Sequence, residues 1–258
     1  MSNKTIDTRQ GHWALAKSGK KVLRPGGKEL TLELIGKLDI TETDDIAEFA
    51  PGLGFTASIA LGHRPQSYTG VELNEEVAEK LRKTINGEGR RIITGNAANS
   101  NLESDSLDKV YGEAMLSMQA DHRKSEIIRE ASRILKKGGF YGIHELGLSP
   151  DNISESDKAN ILQDVAKSIK VNARPLTSQE WINLIENEGF KVVYIAKRPM
   201  HLLEPSRIID DEGFFRTLKI AFNVLRFPDL RKHILTMRRT FKKHESNLNA
   251  IAIVAQKI

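Results

Sequence analysis

The stretch Glu48-Phe-Ala-Pro-Gly-Leu-Gly54 decides the fold. An acidic residue here ends an apolar run, and a turn with two glycines leads into a sequence typical of a helix. Glycine allows a tight turn and close approach of a ligand to the backbone, and the helix start offers unpaired N–H groups. The pattern predicts a strand, a turn and a helix. By itself it does not separate a purely structural turn from a nucleotide-cofactor site.

Around this stretch, short apolar runs alternate with helical periodicity from Asp44 to about Leu148, which is typical of a parallel sheet. The predicted strands are 45–49, 67–73, 91–94, 107–113, 139–145, 191–196 and 250–255. The predicted helices are 31–38, 74–85, 122–135, 151–169 and 178–188, with one more starting at 56. We predict an α/β protein with helices on both faces of a seven-stranded sheet. It would comprise an N-terminal arm or lid (1–30) and one domain (31–258), with a helical insertion at 204–244 between strands six and seven.

Glu72 supplies a second signal. It ends the second predicted strand, close to the spacing after the glycine turn at which a carboxylate binds ribose hydroxyls. Acidic residues also favour helix N-termini for electrostatic reasons, so a solvated helix-start residue is the alternative. The two signals together favour a site for a nucleoside-containing cofactor.

Composition excludes several classes of protein. The chain has no cysteine, which rules out disulfides, thiolate metal sites and a cysteine nucleophile, and we assign no metal site. No apolar run reaches eighteen residues, and the N-terminus lacks a secretory profile, so we expect no membrane span and a cytoplasmic location. The net charge of +5 comes with 28% charged residues of both signs and does not by itself indicate nucleic acid.

These features resemble the class I S-adenosylmethionine-dependent methyltransferases over residues 31–258. The helix-and-turn block Glu130-Ala-Ser-Arg-Ile-Leu-Lys-Lys-Gly-Gly-Phe140 is the most family-specific stretch, and Leu107–Glu113 resembles the fourth-strand motif. The resemblance implies S-adenosylmethionine as cofactor and a Rossmann-like, mostly parallel sheet whose last strand is antiparallel. The cofactor-binding residues that it implies are Glu48, Ala50, Pro51, Gly52 and Gly54 in the first motif, Glu72 and Leu73 at the ribose, Asn96 and Ala97 at the adenine, and Glu113 after strand four.

Two residues depart from the family pattern. Ala50 stands where the first motif usually has glycine, and alanine fits if the backbone there needs no positive φ. Asn96 stands where the adenine loop often has aspartate, and its amide can still hydrogen-bond adenine. Both departures bear on affinity for the cofactor more than on the fold.

Catalytic candidates follow the fourth and fifth strands, whose carboxyl ends would form the ligand edge of the sheet. A sulfonium methyl is already electrophilic, so the enzyme mainly orients a nucleophile and excludes water. His144 is the candidate general base, because free imidazole exchanges protons near neutral pH; a structural histidine is the alternative. Glu113 and Glu145 are candidates for binding an amine substrate or for supporting other residues.

Two further segments are candidates for covering the cofactor or the substrate. Trp13 and Arg24 are candidates for a lid over the cofactor. An apolar set in the insertion has the spacing of one helix face and predicts either helical core or a cap over an apolar substrate pocket. That set comprises Met200, Leu202, Leu203, Phe214, Phe215, Phe222 and Leu225.

We expect a small organic acceptor, because aromatic residues are not interleaved with the basic ones as in many RNA-binding proteins. An RNA methyltransferase, a nicotinamide-dependent oxidoreductase and a non-catalytic protein that binds S-adenosylmethionine remain alternatives. The predicted terminal strand pair disfavours the oxidoreductase. The sequence does not indicate an oligomeric state.

Overall fold

The computed structural model describes residues 15, 16, 18–20, 24–200 and 202–258. The strands are β1 Asp45–Phe49, β2 Ser67–Glu72, β3 Arg90–Thr94, β4 Leu107–Glu113, β5 Leu135–Leu148, β6 Leu176–Thr177, β7 Phe190–Pro199 and β8 Leu248–Lys257. The helices are α1 Gly27–Leu38, α2 Phe55–Leu61, α3 Glu75–Thr84, α4 Asp121–Ile134, α5 Glu155–Ile169, α6 Ser178–Glu186, α7 Pro205–Glu212, α8 Phe214–Arg226 and α9 Pro228–Lys243. A short 3-10 helix covers Leu116–Met118.

The strands form one sheet in the order β3-β2-β1-β4-β5-β8-β7, with the two-residue β6 added beside the end of β5. Strands β1 to β5 pair in parallel, and β8 is antiparallel to both β5 and β7. The prediction of a Rossmann-like sheet with an antiparallel last strand is confirmed. The strand order reverses between β1 and β4, and such switch points are where open α/β sheets bind ligands.

Helices cover both faces of the sheet. Successive residues of a strand point to opposite faces, and in the central strands both sets are apolar and buried. In β8, Ile251, Ile253 and Ala255 face α4 and α6, while Ala250, Ala252 and Val254 face α1, α2 and α3. The strand is therefore apolar on both sides, as is typical of a central strand between two helical layers.

Several boundaries differ from the predicted ones. Helix α1 begins at Gly27 rather than at residue 31, within the segment assigned to the N-terminal arm. Strand β5 begins at Leu135 rather than at 139, because Lys136–Gly139 forms an irregularity within the strand instead of ending a helix before it. Gly138 takes a φ of +83° there, which glycine adopts without strain.

The insertion is helical, as predicted, and its helices α7, α8 and α9 lie between β7 and β8. The interpretation of the apolar set as one packed helix face is wrong in part. Met200, Leu202 and Leu203 are buried before α7, in a cluster with α5 and α9. The four members that lie on α8 are instead exposed to solvent; they are Phe214, Phe215, Phe222 and Leu225. Periodicity identified the shared face of α8 but not whether another element covers it.

No helix in the described ranges is long and apolar enough to cross a membrane. Trp13, a candidate for the lid, lies outside the described residues.

Two glycine substitutions test the fold. A Cβ on Gly139 would lie 2.9 Å from the carbonyl oxygens of Asp108 and Lys136, so Gly139→Ala should lower the free energy of unfolding by about 1–3 kcal/mol. Gly36, in α1, has open space around it, and Gly36→Ala should raise that energy by about 0.5–1 kcal/mol. Urea unfolding of both variants checks this. Equal effects of the two substitutions would contradict the described packing at the β4–β5 irregularity.

Candidate functional site

A cavity of about 310 Å³ lies at the carboxyl ends of β1, β2 and β4, where the strand order reverses. The structure brings eight of the ten predicted cofactor residues to its lining: Ala50, Pro51, Gly52, Glu72, Leu73, Asn96, Ala97 and Glu113. Met115, Gln119, Arg24 and Arg123 also line it. Most of the predicted cofactor residues therefore lie around one cavity.

The turn after β1 forms one wall. Gly52 and Gly54 have φ values of +56° and +75°, and a Cβ on Gly52 would meet no atom closer than 3.9 Å, so its backbone is open to a ligand. Gly54 lies behind the cavity lining as the N-cap of α2, beside the side chain of Leu81. Its role is in the turn and in packing against α3.

The backbone of Ala50 does not meet the condition under which we expected alanine to fit the turn. We expected alanine to fit if this position needed no positive φ, but its φ is +55°. The reason is the turn itself, in which the Ala50 N–H donates to the carbonyl of Val71 at the end of β2 (2.9 Å). An alanine in this region costs about 1–2 kcal/mol relative to its favoured conformations.

Glu72 is fixed at the end of β2 by two backbone donors. The N–H of Gly52 donates to Oε2 (3.2 Å) and the N–H of Asn74 donates to Oε1 (3.0 Å). Burial raises the pKa of this carboxyl group, and these hydrogen bonds oppose the rise. Each oxygen keeps a further lone pair, so the carboxylate can accept bonds from a vicinal diol.

Apolar and amide groups surround the carboxylate. Leu73 is 70% exposed and Leu53 is 47% exposed, although both line the cavity. Large exposed leucines at a cavity are suited to contact with a flat apolar group. Asn96 Oδ1 accepts bonds from the Ala98 N–H (3.0 Å) and from Arg123 (3.1 Å), which fixes its side chain at the cavity.

Glu48 lies outside the cavity lining, contrary to the prediction of a cofactor contact. It is buried behind the turn, where Oε2 accepts hydrogen bonds from the hydroxyls of Tyr68 (2.7 Å) and Tyr111 (3.0 Å). Burial raises the pKa of Glu48 to about 7, with the nearby charge of Glu113 adding to the rise. The structure therefore shows Glu48 in a buried hydrogen-bond cluster beneath the site.

Glu113, at the end of β4, joins four other parts of the chain. Its Oε1 accepts from the Thr31 hydroxyl (2.7 Å) and lies 2.7 Å from His144 Nδ1. Its Oε2 accepts from the Thr56 hydroxyl and lies 3.1 Å from Arg24 Nε. Burial alone would raise its pKa, but Arg24 and the hydrogen bond with His144 hold the pKa of Glu113 at about 2. A carboxylate so acidic and so fully engaged is a poor proton acceptor.

His144 is not placed to act as the general base that the sequence suggested. The ring is fully buried and does not line the cavity. Its Nε2 lies 3.0 Å from the backbone nitrogen of Gly26. An N–H can only donate, so Nε2 accepts and Nδ1 carries the proton that is donated to Glu113. Both ring nitrogens are thus engaged within the protein, and His144 fastens the N-terminal segment to β5.

Glu145, like His144, has a structural role. It is fully buried and accepts four hydrogen bonds, from the backbone N–H groups of Met115, Leu116 and Ser117 and from the Ser117 hydroxyl. These bonds, of 2.6–3.0 Å, hold the loop after β4 that forms one side of the cavity. An amine substrate does not reach this carboxylate, because its side chain does not line the cavity.

Arg24 lies at the cavity, in the segment where a lid was predicted. Its guanidinium carbon lies 5.1 Å from the centre of the Phe55 ring, and its Nη1 is buried without a hydrogen-bond partner in the described part of the chain. A buried guanidinium nitrogen without a partner is costly unless a ligand binds it. The arrangement suits an anionic group of a ligand.

A second cavity, of about 60 Å³, shares Ala114 and Met118 with the first. Its other lining residues are almost all apolar: Leu15, Pro25, Ser117, Leu146, Ile169, Val171, Met200, Leu202, Met237 and Phe241. They come from the N-terminal segment, β5, α5 and the insertion. No sequence motif marks this cavity, because its walls come from segments that are far apart in the chain.

Glu113→Gln tests the charge at the centre of the site. The pKa of Glu113 falls from an ordinary value of 4.5 to about 2, so its charge contributes about 3 kcal/mol above pH 5. That contribution is lost as the pH falls from about 5 to 2, because the folded-state pKa lies below the unfolded one. Urea unfolding should show the variant less stable at pH 7, by an amount that shrinks toward pH 3. Exposed Glu79→Gln is the control, and a constant difference across pH would contradict the buried ion pair.

Comparison with known proteins places the chain in a family. The sequence model of the methyltransferase domain matches residues 47–143. An uncharacterized protein of Haemophilus influenzae is 34% identical over 251 residues, which cover 96% of this chain and 98% of the relative.

Solved structures share the fold at low sequence identity. Phosphoethanolamine N-methyltransferase 2 of Haemonchus contortus, in complex with phosphomonomethylethanolamine and S-adenosylhomocysteine, has a TM-score of 0.71 at 17% identity, over 99% of this chain and 59% of that one. Geranyl diphosphate methyltransferase in complex with S-adenosylmethionine has a TM-score of 0.64 at 14% identity, over 89% and 84%. The [4+2]-cyclase SpnF has a TM-score of 0.70 at 13% identity, over 97% and 94%. Together, the matched domain and the shared fold are those of a class I S-adenosylmethionine-dependent methyltransferase, and they support S-adenosylmethionine as the cofactor.

Proposed function

We propose that this protein is an enzyme that transfers the methyl group of S-adenosylmethionine to a small organic acceptor with an apolar body. The observation that carries the proposal is the junction of two cavities at Ala114 and Met118. One cavity is polar at its carboxylate and guanidinium, and the other is apolar. This pairing suits a nucleoside cofactor beside an apolar acceptor.

The lining of the larger cavity fits the cofactor. The buried Nη1 of Arg24, which has no hydrogen-bond partner in the described part of the chain, would bind the carboxylate of the methionine part. Glu72 would accept hydrogen bonds from both ribose hydroxyls. Leu73 and Ala97 would contact the adenine, and Asn96 would hydrogen-bond it. The open space at Gly52 would let the cofactor approach the backbone. S-Adenosylmethionine supplies an electrophilic methyl group on a sulfonium sulfur.

The cavity offers positioning rather than proton transfer. The ionisable side chains among its described lining residues are Arg24, Glu72, Glu113 and Arg123. The arginines offer no acceptor lone pair, and both oxygens of Glu113 are already engaged. The remaining lone pairs of Glu72 would be occupied by the ribose hydroxyls. We infer that the acceptor enters with its nucleophilic atom already available, and that the protein aligns this atom and excludes water.

Apolar walls favour the proposed acceptor over RNA. A nucleotide would leave polar base and phosphate groups without partners among residues such as Leu146, Met237 and Phe241. The Ser117 hydroxyl already donates to Glu145.

Two variants test the cofactor assignment with two ligands, S-adenosylhomocysteine and 5′-methylthioadenosine, which lacks the amino-acid part. Glu72→Ala should weaken both by about tenfold or more, because both contain the ribose. Arg24→Gln should weaken only S-adenosylhomocysteine, because only that ligand has the carboxylate. Calorimetry measures the four affinities, with NAD as a further ligand. Binding of NAD instead, or equal losses for both ligands in Arg24→Gln, would contradict these roles.

The acceptor site is tested by filling the small cavity. Leu202→Phe should lower turnover about tenfold or more while the affinity for S-adenosylhomocysteine stays unchanged, because Leu202 lines only the apolar cavity. Leu203→Phe is the matched control, because Leu203 is also buried but lines neither of these two cavities. Turnover is followed as S-adenosylhomocysteine released with alkyl amines, alkyl thiols, phenols and an RNA oligonucleotide.

Methylation of the RNA alone would favour an RNA methyltransferase. Cofactor binding without turnover on any acceptor would favour a non-catalytic binding protein.

A further inference from the structure

Helix α8 turns its apolar face to solvent. This face consists of Phe214, Phe215, Leu218, Phe222 and Leu225, whose exposed fractions run from 53% to 86%. The opposite side is less apolar. There Ile220 is buried and Asn223 donates to the carbonyl of Ser18 (2.9 Å). The apolar face of this helix thus points to solvent, whereas the apolar face of an ordinary surface helix packs on the core.

The surroundings of this face are strongly basic. Residues 214–243 contain nine lysines and arginines and a single acidic residue, Asp229, so this stretch is more basic than the whole chain with its net charge of +5. Six of the basic residues are exposed and form no ion pair within the described ranges; they are Lys219, Arg226, Arg231, Lys232, Arg239 and Lys242. Helix α9 adds the exposed Leu235 to the apolar surface.

We propose that the outer surface of α8 and α9 docks on an anionic lipid bilayer. Phenylalanine and leucine on one helix face, flanked by lysine and arginine, match a helix that lies in the interface of a membrane. Buried apolar area and attraction to anionic headgroups both contribute to such binding. The protein would lie on the membrane without crossing it.

The charge distribution disfavours other occupants. A symmetric contact between two copies would bring two surfaces of the same positive charge together. Nucleic acid would neutralise the charge and could stack on the phenylalanines, but it would leave the aliphatic Leu218 and Leu225 without an apolar environment. A bilayer with acidic headgroups accommodates the charge and the apolar side chains together.

The same insertion also borders the acceptor cavity. Met237 and Phe241, on the inner side of α9, are buried and line the small apolar cavity. The exposed residues of α9, such as Arg231, Lys232 and Arg239, lie on its other side. The proposed docking surface and one wall of the acceptor cavity therefore belong to the same helix.

Cosedimentation of the full chain with vesicles tests the docking surface. Vesicles of phosphatidylglycerol and phosphatidylcholine in equal parts should bind the protein about tenfold or more tightly than pure phosphatidylcholine, and salt should weaken the binding. Phe215→Ser with Phe222→Ser should reduce binding to the anionic vesicles about tenfold or more. The control, Leu32→Ser with Val193→Ser, changes two exposed apolar residues elsewhere and should leave binding unchanged.

A charge series completes the test. Arg231→Gln, Lys232→Gln and Arg239→Gln together should also reduce binding, whereas Lys80→Gln, Lys83→Gln and Lys137→Gln, at exposed sites outside the insertion, should not. Calorimetry with S-adenosylhomocysteine shows whether each variant keeps its fold, and this binding does not depend on the membrane.

Three results would overturn the proposal: no binding to anionic vesicles, binding that the phenylalanine variant leaves intact, or RNA binding in a gel shift without vesicle binding. Sedimentation velocity without lipid tests one further alternative, a contact between two copies. A dimer that the phenylalanine variant dissociates, with vesicle binding unchanged, would show that α8 is instead an interface between copies.

Discussion

The carboxylate of Glu113 is the point on which the site depends. It is a buried charge at the end of β4, and the partners that stabilise it come from the N-terminal segment, α1, α2 and β5. A buried carboxylate without such partners would be too costly to keep ionised. Its charge therefore holds together segments as far apart in the chain as those of Arg24 and His144.

The cavity takes its shape from this arrangement. Arg24 reaches the larger cavity because Glu113 holds its Nε, which leaves Nη1 buried and without a hydrogen-bond partner among the described residues. His144 secures the neighbouring Gly26, so the segment before α1 is fixed at two points over the edge of the sheet. On the other side, Glu145 holds the loop after β4. The acidic residues at the ends of β4 and β5 thus build the walls of the site.

The sequence predicted the sheet well because strands have local signals. The bounds of β1 and β4 agree with the predicted ones, and most of the lining of the larger cavity comes from motifs whose residues are neighbours in one loop. The roles of Glu48, Glu113 and His144 were not predictable in this way. Whether a carboxylate or an imidazole is free to react depends on which lone pairs are already occupied, and those partners lie far away in the chain.

The solvent exposure of the apolar residues on α8 could not be predicted from the sequence either. The periodicity of α8 correctly places its apolar residues on one face, but a periodic pattern carries no information about what covers that face. Ala50 shows the opposite case, in which a local rule fails: the tight turn imposes a positive φ on a residue that does not favour it. Both departures from expectation lie at or beside the proposed working surfaces of the protein.

The position of β8 has a consequence for how the protein folds. Residues 248–257 follow β1 to β7 in the chain, yet they lie between β5 and β7 and pair with both. Until they join the sheet, β7 has no strand partner, and the edges of β5 and β7 that β8 covers stay open. A folding intermediate without β8 would therefore present two unpaired strand edges, which favour aggregation.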